Sequence, residues 1–324
     1  MEVVTLQVMK VTELIGGGGT AFSFEILPPR KGESIEALEE VIEALRRFEP
    51  RYINITTHRS EPVLRETVHG ARIDMVRRRP GAVAVAAALQ MKYGIPIVPH
   101  ILCLGFSGME TEYVLLDLQF LGIENLLLLR GDRLKAGSMV KDADTDCYMH
   151  TTELIEQVNR FNDGYFLDGS RFDGLKHRFS FGVGCYPEKH DEAPNIESDL
   201  RWFRKKVELG ADYGVTQMFF DNKKYFDFVD RCRSMGIGCP IIPGIKPLVS
   251  KRQLASLPRA FHCDIPLELS DGMMQARSAE EEFEVGVEWC VRQCKELMAA
   301  GVPSLHFYTS GRAKSVEAVA KRIY

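Results

Sequence analysis

Three polar residues each stand at the downstream end of an apolar run. Glu25 lies in Phe24-Glu25-Ile26-Leu27-Pro28-Pro29, Asp132 follows Leu128-Leu129-Arg130-Gly131, and Gln217 lies in Thr216-Gln217-Met218-Phe219-Phe220-Asp221. In α/β chains the downstream strand ends are where catalytic side chains gather, so the three are expected to share one pocket. A carboxylate inside an apolar strand is costly unless paired or protonated, and desolvation raises its pKa toward neutrality, which suits Glu25 to general acid catalysis. A strand-end Glu in solvent, or one satisfied by a structural Arg, is the equal alternative. Asp132 is delivered by a turn, where a carboxylate also serves simply as a cap. The Gln217 amide offers a donor and an acceptor to the edge of a heteroaromatic ring, or to backbone if it is a core residue.

Other residues carry weaker signals. His100 follows Pro99, and His190 lies in Tyr186-Pro187-Glu188-Lys189-His190; each alone reads more readily as a satisfied structural histidine. No His-Glu-x-x-His or paired-carboxylate spacing points to a metal. Lys246, in Ile241-Ile242-Pro243-Gly244-Ile245-Lys246-Pro247, could form a Schiff base as barrel aldolases do, although a solvated loop lysine is the commoner case. Met273 and Met274 read as core.

Strands and helices alternate to position these groups. Strands are expected at 21–27, 51–57, 97–104, 125–129, 178–185, 213–218, 240–243 and 304–308. Helices are expected at 35–48, 62–78, in the Ala-rich stretch to Tyr93, and at 109–121, 151–161, 196–209 with an N-cap near Asn195, 223–235, 250–256, 271–300 and 313–324. Residues 162–177, rich in Gly and Asp, read as a loop insertion. Eight units of about 40 residues fit a (β/α)8 TIM barrel in the α/β class. The glycines at 16–19 precede the first strand, so they do not make the phosphate-binding turn of an open dinucleotide-binding sheet. No linker divides the chain, so residues 1–324 are expected to form a single domain with 1–20 a mobile extension.

Composition narrows the function class. Among 324 residues, 41 basic and 45 acidic residues nearly cancel, which argues against nucleic acid and for a small-molecule ligand. Eight cysteines without a Cys-x-x-Cys pair favour a reducing compartment and argue against zinc. The longest apolar run is far short of the ~20 residues that span a bilayer. A soluble, cytoplasmic protein is expected.

Taken in order, several segments resemble the methylenetetrahydrofolate reductase family. They are Phe22-Ser23-Phe24-Glu25 with Pro28-Pro29, Pro99-His100, Leu129-Arg130-Gly131-Asp132, Tyr186-Pro187-Glu188 with His190 and Glu192-Ala193, Thr216-Gln217 with Phe219-Phe220-Asp221, Ile241-Ile242-Pro243-Gly244, and His306-Phe307-Tyr308-Thr309. The resemblance implies a (β/α)8 barrel holding FAD noncovalently. NADH or NADPH would reduce the flavin, and 5,10-methylenetetrahydrofolate would then take the hydride in a ping-pong scheme to give 5-methyltetrahydrofolate. It also implies roles: Glu25 as general acid, Asp132 as the carboxylate beside the flavin, and Gln217, Tyr308 and Arg312 at the substrates. Flavin contacts are implied for Thr56, His100, Arg130, Gly131, Asp132, His150, Thr151, Tyr186, His190, Asp199, Lys205 and Lys206.

The chain departs from the family pattern where Thr57-His58-Arg59 replaces Tyr-Gly-Ala, where Leu257 stands near an aromatic position, and where Trp202 replaces a polar one. The sequence ends soon after the eighth unit, so a C-terminal regulatory domain is not expected. A homo-oligomer is expected. The alternatives are a cofactor-free Schiff-base lyase built on Lys246 and a noncatalytic folate-binding subunit.

Overall fold

The computed structural model describes residues 9–68, 70–134, 146–173 and 177–324. Its strands are β1 (Ala21–Ile26), β2 (Tyr52–Ile55), β3 (Glu61–Thr67), β4 (Gly70–Val76), β5 (Ile97–Leu102), β6 (Asn125–Leu129), β7 (Ser180–Cys185), β8 (Tyr213–Thr216), β9 (Ile241–Ile242), β10 (Gly244–Ile245) and β11 (Ser304–Tyr308). The helices are α1 (Val11–Leu14), α2 (Glu36–Leu45), α3 (Ala82–Tyr93), α4 (Gly108–Phe120), α5 (Thr151–Asn162), α6 (Ile196–Glu208), α7 (Asn222–Ser234), α8 (Lys251–Phe261), α9 (Leu267–Gln275), α10 (Ala279–Ala299) and α11 (Lys314–Ile323).

Nine strands form one sheet in the order β10-β11-β1-β2-β5-β6-β7-β8-β9. The two ends of that order, β9 and β10, flank Pro243, which has no N–H to give a ladder; the strand expected at 240–243 holds β9 alone, and β10 lies beyond it. The fold is therefore a (β/α)8 barrel. Strands that are buried on both faces should read as continuous apolar runs, and β2, β5 and β8 are buried at every position.

The chain forms two compact units. One takes Pro28–Ile35 and Asn54–Phe181 with the described residues up to Lys10; the other takes Val11–Leu27, Glu36–Ile53 and Gly182–Tyr324. In the first, β5 and β6 pair in parallel with His100 opposite Leu127 and Leu102 opposite Leu129. In the second, β1 and β10 both pair with β11, placing Glu25 opposite Tyr308 and Ile245 opposite Phe307.

Side-chain caps start α4, α6, α7 and α10. The Asn195 side chain accepts from Ser198 N–H at 2.8 Å, as expected, and Asp221 accepts from Lys223 N–H at 2.9 Å, so this acid of the Phe219-Phe220-Asp221 motif starts α7. Ser107 and Glu110 cap α4 reciprocally. The helix expected over 271–300 is two helices. Ser278 accepts from Glu281 N–H at 3.2 Å while Glu281 accepts from Arg277 N–H at 2.6 Å, and this N-cap starts α10 afresh. Met273 is core, but Met274 is 63% exposed and is not.

The helix expected at 62–78 is instead the antiparallel hairpin β3-β4. Val63 and Thr67 favour extended backbone, and Asp74 binds Arg72 on its own strand (2.7 Å) and Arg65 across the hairpin (3.0 Å), a cross-strand pairing that helical spacing does not reveal. The insertion expected at 162–177 is built on aromatic packing as far as it is described. Phe161, Phe166 and Phe172 pack together, Tyr165 bridges to Arg171, and Asn162 exchanges two hydrogen bonds with Phe179 backbone. Residues 174–176 lie outside the described residues, as do residues 1–8 of the expected N-terminal extension. Val11 and Ile15 of that segment are buried.

Candidate active site

Glu25 occupies the fifth position of β1 between buried Phe24 and buried Ile26. Its backbone carbonyl accepts from Thr309 Oγ1 at 2.6 Å, which pins the strand end to the segment after β11. The side chain keeps some solvent access, yet desolvation by the surrounding strands pushes its pKa up to about 7 against a smaller opposing pull from Lys246. A carboxylic acid with this affinity holds its proton near neutral pH and can release it there.

Lys246 is not the solvated loop lysine that its sequence context favours. It is buried, its ammonium donates to Ser310 Oγ at 2.7 Å, and burial lowers its pKa while Glu25 raises it. A lysine one residue beyond β10 must run against the sheet, because β10 is enclosed and its Gly244 and Ile245 are both buried.

Tyr308 is held beside this pair. Its hydroxyl donates to Thr216 O, and its phenol is pushed well above the ordinary value, first by burial and then by Glu25. Gly244 makes room for that contact, since a Cβ there would stand 2.2 Å from Thr216 O and 2.6 Å from the Tyr308 ring. Gln217 extends from the end of β8. Its N–H donates to Cys185 O at 2.8 Å, and its side-chain Oε1 accepts from Met218 N–H at 2.9 Å. Arg312 is exposed, with its N–H on Thr309 O at 3.1 Å.

In the same unit, Tyr186 and His190 pack edge to face with centroids 4.7 Å apart. Asp199 Oδ2 accepts from His190 N–H at 2.9 Å, and Lys206 donates to Gly184 O at 2.9 Å. Asp199 thus holds the loop after β7 and Lys206 the end of β7 itself; Lys205 is exposed. Sequence reasoning missed the clamp beyond this loop, where Lys224 bridges Glu188 (2.6 Å) and Asp264, and Glu188 also accepts from Asp264 N–H at 2.9 Å. Only the run Tyr186-Pro187-Glu188 hinted at it. Leu257 is buried in a cluster with Met218, Phe220 and Met273, so it serves the core rather than a ligand, while Trp202 is 56% exposed on α6.

The other unit carries the remaining candidates. His100 is buried, with Nε2 at 3.3 Å from Asn54 Nδ2, and its carbonyl accepts from Thr57 Oγ1 at 2.5 Å. After β6, Leu104 N–H reaches Arg130 O at 2.9 Å, and Asp132 is exposed with its carbonyl accepting from Arg59 Nη1 at 3.3 Å. The departure Thr57-His58-Arg59 is therefore built in. Arg59 lies against Gly105, which has φ +83° and where a Cβ would meet Arg59 side-chain atoms at 2.8 Å. Burial, then Arg79, lowers the pKa of His58, while Asp132 and Glu61 oppose them. The Thr56 hydroxyl is enclosed and has no hydrogen-bond partner among the described residues. His150 and Thr151 stand at the start of α5, where His150 N–H donates to Glu153 at 2.8 Å.

Among the described residues no cluster of His, Cys, Asp or Glu could hold a metal ion, and no helix is long and apolar enough to cross a membrane. All eight cysteines are free thiols.

Comparison with known proteins adds four findings. A family model described as methylenetetrahydrofolate reductase matches residues 10–324. The 5,10-methylenetetrahydrofolate reductase of Escherichia coli (strain K12) is 29% identical over 92% of this chain and 88% of its own. A probable methylenetetrahydrofolate reductase (NADPH) of Caenorhabditis elegans is 26% identical over 97% of this chain, which spans only 44% of that relative's length. Among solved structures, a protein from Clostridium thermocellum that binds two copies of 5-methyl-5,6,7,8-tetrahydrofolic acid superposes with a TM-score of 0.57 at 13% identity, covering 96% of each chain. That last likeness concerns the fold alone.

Proposed function

The chain belongs to the methylenetetrahydrofolate reductase family, and on that premise we propose that it reduces 5,10-methylenetetrahydrofolate to 5-methyltetrahydrofolate with NADH or NADPH. The two substrates would use one noncovalently held FAD in turn. The observation that carries this reading is Glu25, a strand-end acid whose pKa burial pushes up to about 7.

The residues present suit such a cofactor. The Thr56 hydroxyl is an enclosed donor without a hydrogen-bond partner among the described residues, the start of α5 with Thr151 favours an anion, and Arg130 and Lys205 supply positive charge for a pyrophosphate. His100, Gly131, Asp132, His150, Tyr186, His190, Asp199 and Lys206 would complete the set, with Asp199 and Lys206 acting through the loop and the strand end they hold. FAD when bound supplies a two-electron carrier that passes hydride from nicotinamide to folate.

The chain's own residues do the proton and charge work. Glu25 gives its proton to N10 of the folate as the methylene bridge opens, leaving an iminium on N5 that accepts hydride and becomes the methyl group. Asp132 contributes a carboxylate whose charge favours the cationic iminium. Gln217, its oxygen held by Met218 N–H, offers its NH2 to the pterin or the nicotinamide. Tyr308 presents its ring and Arg312 its guanidinium to the remaining substrate surface. Proton donor and carboxylate thus have separate tasks set by separate environments.

A Schiff-base lyase centred on Lys246 fits less well, because its ammonium is bound to Ser310 and faces Glu25. A cytoplasmic homo-oligomer belongs to the same reading, and its copy number is read by light scattering. The test is anaerobic: the purified protein reconstituted with FAD should be yellow, bleach with NADH or NADPH, and recolour with methylenetetrahydrofolate. A protein that takes up no flavin, or a bleached flavin that folate does not reoxidise, overturns the proposal.

A further inference from the structure

We propose that Lys246 is a positioning residue for Glu25: its ammonium, anchored on Ser310, restrains the Glu25 carboxyl and governs that group's proton affinity. Strands β10, β11 and β1 lie abreast, with Ile245 opposite Phe307 and Glu25 opposite Tyr308. Lys246, one residue beyond Ile245, is therefore level with Tyr308 and Glu25. In parallel strands, residues at one level point to one face. Two strand spacings of about 4.8 Å separate the Lys246 and Glu25 backbones, a gap that a lysine side chain can reach across.

Burial makes the relationship matter. Lys246 is only 9% exposed, and its one described hydrogen bond goes to the Ser310 hydroxyl, a neutral group that fixes the ammonium without discharging it. Ser310 can serve because its backbone adopts a left-handed turn (φ 50°) directly after Thr309, the residue that pins the Glu25 carbonyl. One turn therefore fixes both partners.

Tyr308 of β11 is a further titratable group acting with Glu25. Its phenol stays neutral, and its proton is committed to Thr216 O. Tyr52 of β2 and Tyr186 after β7 act on Tyr308 in turn, and burial pushes Tyr52 up to about 12. Lys246 is thus a cation that acts directly on Glu25. It opposes the desolvation that would otherwise leave the acid too weak to give up its proton near neutral pH.

The catalytic value of this pairing rests on the proposed function, but the pairing itself does not. Both can be read separately on the full chain. The Glu25 carboxyl is titrated by isotope-edited infrared spectroscopy without substrate, as a difference against Glu25→Gln, in the parent, Lys246→Met and Lys246→Arg. The folate half-reaction is followed against pH in the same proteins. Lys246→Met should move the carboxyl midpoint up by about 1 pH unit or more, and Lys246→Arg should restore it; the folate profile should move with it. Arginine cannot form a Schiff base, so its rescue also separates positioning from nucleophilic catalysis. If Lys246→Met does not fold, Lys246→Gln takes its place with the same expected shift. An unmoved midpoint in a folded variant overturns the pairing. A moved midpoint in a protein without folate turnover keeps the pairing and removes the proposed function instead.

Discussion

The Tyr308 hydroxyl donates to the Thr216 carbonyl at 2.6 Å. This bond ties the end of β11 to the end of β8 immediately before Gln217, and Thr216 is tied again through its own hydroxyl, which accepts from Gly244 N–H at 2.8 Å. Tyr308 therefore has no proton to offer a ligand; it can accept or stack. It fixes where Gln217 leaves the strand.

Tyr308→Phe should leave the Thr216 carbonyl without that donor and cost about 1–3 kcal/mol of stability. Gly244→Ala should cost more, because its Cβ would overlap both partners. Urea unfolding of the two variants checks the order. Equal stability of Tyr308→Phe and the parent would show that the bond holds nothing.

Stability should depend on pH through two buried groups with opposite signs. His306 is almost fully buried, and burial pushes its pKa from 6.5 down to about 3, so the folded chain binds fewer protons than the unfolded chain between those values. Stability should therefore fall as pH drops from about 6.5 toward 3. Glu25 runs the other way. With its pKa raised from 4.5 to about 7, the folded chain holds the extra proton, and stability should fall as pH rises through that window and level off above it. Thermal melts should show His306→Asn losing the acid-side slope and Glu25→Gln losing the slope between 4.5 and 7.

Asp132→Asn should slow the folate half-reaction and quicken reduction by nicotinamide, each by roughly tenfold or about 1.4 kcal/mol, because an exposed carboxylate acts well below the ceiling of about 4 kcal/mol for unit charges about 4 Å apart at an effective dielectric near 20. Stopped-flow measurement of the two half-reactions checks it. Equal changes in the same direction would mean that the carboxylate serves position rather than charge.

Gln217→Ala should raise KM for folate by about 2- to 10-fold, the worth of one neutral hydrogen bond, while leaving the fold intact. A large loss of stability would assign the amide to Met218 backbone instead of to a ligand.

Much of this was legible along the chain because it is local. Apolar runs marked the barrel strands, Asn195 marked the start of α6, and Glu25 was recognisable as a carboxylate in the wrong company. What stayed hidden depends on partners far apart in sequence. Lys246 reads as a loop lysine until β10 and β1 are seen flanking β11, and its anchor Ser310 lies 64 residues away. The β3-β4 hairpin reads as helix because its apolar and charged residues have no neighbours until the strands pair and Asp74 meets Arg65. The division between α9 and α10 was within reach, since Ser278 with Glu281 three residues later is an N-cap signal inside a long apolar pattern.

The most direct test of the account is anaerobic stopped-flow of Glu25→Gln reconstituted with FAD, with each half-reaction measured alone. Reduction by the nicotinamide should keep its rate, while reoxidation by methylenetetrahydrofolate should fall by about 10²-fold or more, the contribution of a positioned general acid. Equal loss in both half-reactions, or folate turnover that survives the substitution, would contradict the assignment of Glu25 as the proton donor.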